Sequence, residues 1–125
     1  MLVKKEDSHT NKPLEKDIQR EILEWLDTQE MKYPLMFWRQ NNGSVFGRNN
    51  AGNMAFRSRG KFVPKGIPDI WVVTCGRLIG FEVKRPGGVV REEQKEFGSK
   101  LVNHGGYYFI VKSLQDVKEI MTRLI

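Results

Sequence analysis

Leu14, Ile18, Ile22, Trp25 and Leu26 recur at steps of three and four among polar and charged neighbours. That is the period of one helix face, and it predicts a helix over 13–27. Pro13 fits its first turn, where a missing N–H costs nothing. The pattern then tightens: "YPLMFWRQ" (33–40) predicts an extended strand, and residues 70–73 and 78–83 form two apolar runs joined by "TCGR". Between these regions, 41–66 is rich in Asn, Gly and Arg and predicts a long loop. A helix follows over 91–104, closed by a left-handed cap at Gly105–Gly106. "YYFIVK" (107–112) predicts a further strand. Ser113 then caps a last helix with Asp116 as its capping-box partner, and Leu114, Val117, Ile120, Met121 and Leu124 form the apolar face. The order predicts a mixed α/β domain with one central β-sheet flanked by α-helices, spanning 13–125, behind a flexible polar tail at 1–12.

Three residues break the strand pattern. Asp69, Glu82 and Lys84 stand inside "GIPDIWVVTCGRLIGFEVKRPGG" (66–88), where an uncompensated buried charge costs several kcal/mol. If Cys75–Gly76 is a two-residue hairpin turn, Thr74 faces Arg77 and Asp69 falls directly opposite Glu82. Opposed residues of one face have Cβ atoms about 4.5–5.5 Å apart, and Lys84, two residues beyond Glu82, shares that face. One lysine cannot balance two close carboxylates. A divalent cation such as Mg²⁺ can, taking hard oxygen ligands and completing its shell with water or phosphate. Such an ion activates water and neutralises charge on a phosphoryl group, with Lys84 placed to orient the attack or stabilise the transition state.

Charge sharpens this picture. The net charge is +6, and all of the excess lies between Met31 and Pro68. Lys32, Arg39, Arg48, Arg57, Arg59, Lys61 and Lys65 occur there without one acid, while the rest of the chain carries a net of −1. A basic patch on a balanced body is the footprint of a polyanion. Arg39, Arg48, Arg57, Arg59, Lys61 and Lys65 are therefore the candidate nucleic-acid contacts. Phe46, Phe56 and Phe62 interleave with them and either stack on bases or, as favoured here, pin the loop to the body.

"GIPDIWVV" followed by "GFEVKRPGG" resembles the PD-(D/E)XK nuclease superfamily, and more narrowly the VRR-NUC group of small phage and bacterial nucleases related to Holliday junction resolvases. "LEKDIQREIL", "WRQNNG", the basic Gly-rich stretch and "REEQKEF" extend the likeness from about Leu14 onward. The resemblance implies a restriction-endonuclease-like core and a Mg²⁺- or Mn²⁺-dependent endonuclease acting on junctions, flaps or other branched DNA. It implies a metal held by Glu15, Asp69, Glu82 and the backbone carbonyl of Val83, with Lys84 catalytic and Gln94 supporting. Gln94 also lies three before Phe97 and seven before Leu101, on the inward face of its helix. For Glu15 the residues alone are neutral, because any carboxylate suits a first turn and Glu21 and Glu24 compete. A homodimer, with two sites cutting two strands, is implied as well. So is the absence of an organic cofactor.

The alternative is a non-cleaving DNA-binding or repair-interaction module of the same fold, and a third class is an assembly protein using its loop as an interface. Cys75 is the single cysteine, which allows no disulfide framework within the chain and suits a reducing cytoplasm, bacterial or phage-infected. The first residues lack the apolar core of a signal peptide, and no run reaches the ~18 apolar residues of a membrane span. His9 and His104 have no partners at ligand spacing. Trp25, Trp38 and Trp71 read as core.

Overall fold

The computed structural model describes residues 13–40, 45–48, 54–57 and 60–124, with backbone only for 45–48 and 54–57. The elements are α1 (Glu15–Glu30), β1 (Leu35–Arg39), β2 (Val45–Arg48), β3 (Met54–Arg57), β4 (Ile70–Thr74), β5 (Arg77–Val83), α2 (Glu92–Asn103), β6 (Tyr107–Val111) and α3 (Leu114–Leu124). Strands β1, β4, β5 and β6 form one mixed sheet in that order. The first two pairings are antiparallel and β5–β6 is parallel. This is the expected α/β architecture, consistent with a restriction-endonuclease-like core.

Burial divides the sheet into two faces. Ile70 and Val72 of β4, Ile79, Phe81 and Val83 of β5, and Val111 of β6 are fully buried. They pack with Ile18, Ile22 and Leu26 of α1 and with Val117 and Met121 of α3. The other face carries the alternate positions, and α2 covers its β6 side. Gly98 of α2 makes that packing close: a Cβ there would lie 2.5 Å from Cδ2 of Tyr108. From α2, Phe97 meets the Trp71 ring edge-on at 6.1 Å, and Trp71 stacks on Trp38 at 6.2 Å.

Local chemistry explains the element ends. Cys75 and Gly76 both adopt positive φ, 49° and 77°, the signature of a type I′ hairpin turn whose twist matches the strands. At the end of α2, Gly106 N–H bonds to Leu101 O and Gly105 N–H to Val102 O, a Schellman motif with Gly105 at φ 91°. Ser113 Oγ accepts from the Asp116 amide at 3.2 Å, and Asp116 Oδ2 reaches back to the Lys112 amide at 2.9 Å. The reciprocal bond thus lands one residue earlier than in the expected capping box.

Other expectations need correcting. Pro13 stands outside α1, which starts at Glu15 with Leu14 as its cap residue; the extended Leu14 keeps the proline out of the first turn. The 41–66 loop contains a hairpin, β2–β3, pairing Val45 with Arg57 and Arg48 with Met54. Each strand is only four residues long, too short for periodicity to register among so many Asn and Gly. Phe62 does not pin anything: it is 91% exposed, with Lys61 Nζ 5.6 Å from its ring centre. Phe46 and Phe56 have side chains outside the described residues. Trp38 is not core either. It sits on the edge strand β1, past the cover of α2, and stays 39% exposed. No helix among the described residues is long and apolar enough to cross a membrane.

Candidate active site

Ile70 pairs with Phe81 and Thr74 with Arg77, so the register expected from the two-residue turn is present and places Asp69 opposite Glu82. The Val83 amide donates to Asp69 Oδ2 at 2.8 Å, fixing the carboxylate against the end of β5. On the far side, the Gln40 amide donates to the Asp69 carbonyl at 2.7 Å, which extends the β1–β4 ladder by one residue. Pro68 lies over Gly80, where a Cβ would come 2.6 Å from Pro68 Cγ. Glycine at 80 thus lets the "IPD" segment sit low on the sheet.

Glu82 is 2% exposed and Lys84 7%. The Lys84 ammonium lies 3.7 Å from Glu82 Oε2, and Gln94 Nε2 donates to the same oxygen at 2.9 Å. Gln94 is held in turn, because its Oε1 accepts from the Arg91 amide at 2.9 Å at the start of α2. One glutamine thus ties the helix start to the buried acid. Glu82 Oε1 is buried without a hydrogen-bond partner among the described residues.

The electrostatics follow from this crowding. Burial first, then the charge and close approach of Asp69, push the Glu82 carboxyl up to about 8, against the pull of Lys84. Burial likewise raises Asp69, opposed by the Val83 amide and by Glu82. Both buried acids therefore favour the protonated form more than a free carboxyl does when nothing else neutralises the pair. Their charge also reaches Tyr108, whose phenol is raised by burial and then by Glu82 and Asp69.

Asp69, Glu82, Lys84 and Gln94 thus converge as the sequence predicts. Val83 sits between Glu82 and Lys84 and contributes its amide to Asp69. Glu15 is at the rim: its Oε2 lies 3.5 Å from the Arg85 amide, and its charge raises both Asp69 and Glu82 only as the weakest contribution. Among the described residues no three Asp, Glu, His or Cys side chains are drawn together as a ligand set.

The candidate DNA contacts are more scattered. Arg39 alternates onto the face of Leu35 and Phe37, across the sheet from Asp69. Lys65 lines a groove with Glu92, Glu93, Glu96 and Lys100, so acidic side chains of α2 share its surroundings. Lys61 is exposed. Arg59 and the side chains of Arg48 and Arg57 lie outside the described residues. Sequence reasoning missed Tyr108, whose hydroxyl is buried without a partner among the described residues. A second tyrosine in an apolar strand carries no signal of that. No family model, curated protein or solved structure matches this chain.

Proposed function

We propose that the protein is a divalent-metal-dependent DNA endonuclease, hydrolysing phosphodiester bonds at junctions, flaps or other branched sites. The observation that carries this reading is the buried Glu82 carboxylate set directly across one hairpin from Asp69, with Lys84 as the cation paired to it among the described residues. One lysine cannot balance two carboxylates this close, and a divalent cation can. The donors suit Mg²⁺ or Mn²⁺: Asp69 and Glu82, the carbonyl of Val83 and, from the rim, Glu15. Bound there, the ion would supply Lewis-acid stabilisation of a phosphoryl group and a more acidic water.

The remaining roles belong to the chain. The Val83 amide holds Asp69 in place, and Gln94 holds Glu82 Oε2. Lys84 keeps a cation beside the pair, within the site where transition-state charge would develop. The basic excess of 31–68 supplies sequence-independent attraction for the phosphate backbone. Such a protein would work as a homodimer, each copy cutting one strand, in the cytoplasm of a bacterium or a phage-infected cell.

Labelled single strand, duplex, flap and four-way junction, incubated with Mg²⁺, Mn²⁺ or EDTA, test the reading. Wild type is expected to cut in metal only, with no cutting by Glu82→Ala or Lys84→Ala. DNA binding without cleavage in either metal would replace the enzyme with a binding module.

A further inference from the structure

Two residues of α2, one turn apart, cover the sheet face that carries the carboxylates. Gln94 stands over Glu82 and bonds to its Oε2. Gly98, four residues on, stands over Tyr108: a Cβ there would lie 2.5–2.9 Å from Cδ2, Cε2 and Cγ of the ring. In the sheet, Tyr108 of β6 pairs with Gly80 of β5, and Ile110 with Glu82. Gly80 and Glu82 share one face of β5, so Tyr108 stands on the carboxylate face, one row from Glu82. Helix and sheet together clamp its ring beside the acids.

The hydroxyl at the end of that ring is buried and has no hydrogen-bond partner among the described residues. Burying an unpaired hydroxyl costs about 1–3 kcal/mol, which a phenylalanine would avoid. Its surroundings give it a use. After burial, the charges of Glu82 and then Asp69 raise its proton affinity, so it stays a donor beside two acceptors. The O–H turns about the C–O bond, and its proton can be directed without moving the clamped ring.

We propose that Tyr108 is a positioning residue whose hydroxyl donates to the Glu82 carboxylate once the Asp69–Glu82 pair holds a divalent cation. This rests on the proposed metal site and deepens it. The Val83 amide fixes Asp69 and Gln94 fixes Glu82 Oε2; Tyr108 is the third donor, made useful only by the cation. Hydrogen bonds to ligating carboxylates typically change metal affinity by about 10–100-fold.

The test needs neither DNA nor cleavage. The 125-residue protein and Tyr108→Phe are titrated with Mn²⁺ by calorimetry, and their urea midpoints are measured in EDTA. Tyr108→Phe should bind Mn²⁺ on the order of tenfold more weakly, while its midpoint in EDTA holds or rises. A second readout keeps the wild-type side chains and labels the protein with 3-fluorotyrosine. Of the three tyrosine signals, the one missing from Tyr108→Phe should shift on adding Mg²⁺, and should stay put in Glu82→Gln. Equal Mn²⁺ affinity of the two proteins, a lower midpoint for Tyr108→Phe in EDTA, or a fluorine signal indifferent to Mg²⁺ would each overturn the role of Tyr108 and leave the metal site standing. No Mn²⁺ binding by wild type would remove both.

Discussion

The Val83 amide donates to Asp69 Oδ2, so the strand that carries Glu82 also holds the carboxylate opposing it. Asp69→Asn should separate these effects. The asparagine can still accept from Val83 through its carbonyl oxygen, while the charge facing Glu82 disappears. Cleavage should fall to background. In EDTA at pH 8 the melting temperature should rise or hold, because the second-largest cause of the Glu82 shift has been removed. A clear fall in melting temperature would show that Asp69 is needed for the fold as a charge.

The metal-free protein should lose stability as pH rises. Glu82 has its folded value raised from 4.5 to about 8, so between those limits the folded state binds more protons than the unfolded chain. Stability must then fall with pH, by at most ~1.4 kcal/mol per pH unit for one proton, and Asp69, also raised, adds in the same direction. Thermal melts from pH 4.5 to 8 in EDTA should show the decline. Excess Mg²⁺ should flatten it by neutralising the pair, and so should Glu82→Gln. A metal-free stability that is flat or rises over this window would count against a crowded, protonated pair.

Gln94 makes two bonds, to the Arg91 amide and to Glu82 Oε2. Gln94→Leu removes both and leaves a buried carboxylate oxygen with Lys84 as its remaining partner, a loss of about 1–3 kcal/mol. Gln94→Glu should be worse in EDTA, since it sets another carboxylate against Glu82, and should recover part of the loss in Mn²⁺. Urea midpoints with and without metal would read both changes.

Gly98→Ala weighs helix propensity against packing. Alanine favours the helix by up to ~1 kcal/mol, yet its Cβ would press on the Tyr108 ring at 2.5–2.9 Å. Overpacking of this kind costs about 1–3 kcal/mol, so a net loss is expected. Gly98→Ala combined with Tyr108→Ala should be less than additive in urea unfolding.

Much of this site could be read from the chain because its geometry is local. Cys75–Gly76 encodes a turn, the turn encodes a register, and the register brings Asp69 to Glu82. The Gly105–Gly106 cap and the inward placement of Gln94 were legible for the same reason. What escaped depends on what lies overhead. Trp38 and Trp71 read alike in sequence, and only the reach of α2 makes one exposed and the other buried. Phe62 looked like an anchor because aromatic residues usually are, but nothing covers it. Basic residues can be counted without a structure, whereas the glutamates beside Lys65 and the strand face of Arg39 cannot be seen that way. The β2–β3 pairing, between segments too short to show a period, was invisible for a related reason.

The hairpin has a consequence for how the chain assembles. Asp69 and Glu82 meet across a two-residue turn, while Glu15 comes to the Arg85 amide across 70 positions. Closing that span costs about 1.5 kcal/mol more chain entropy than closing the hairpin, and hairpins themselves form in roughly 1–10 μs. This crowded contact is therefore among the cheapest to close, and its two acids are expected to come together before the surrounding helices dock. During refolding the nascent pair is still wet and can exchange protons freely with water. The cost of confining its charge would then fall on helix docking, so the refolding rate, like the stability, is expected to depend on pH and divalent ions.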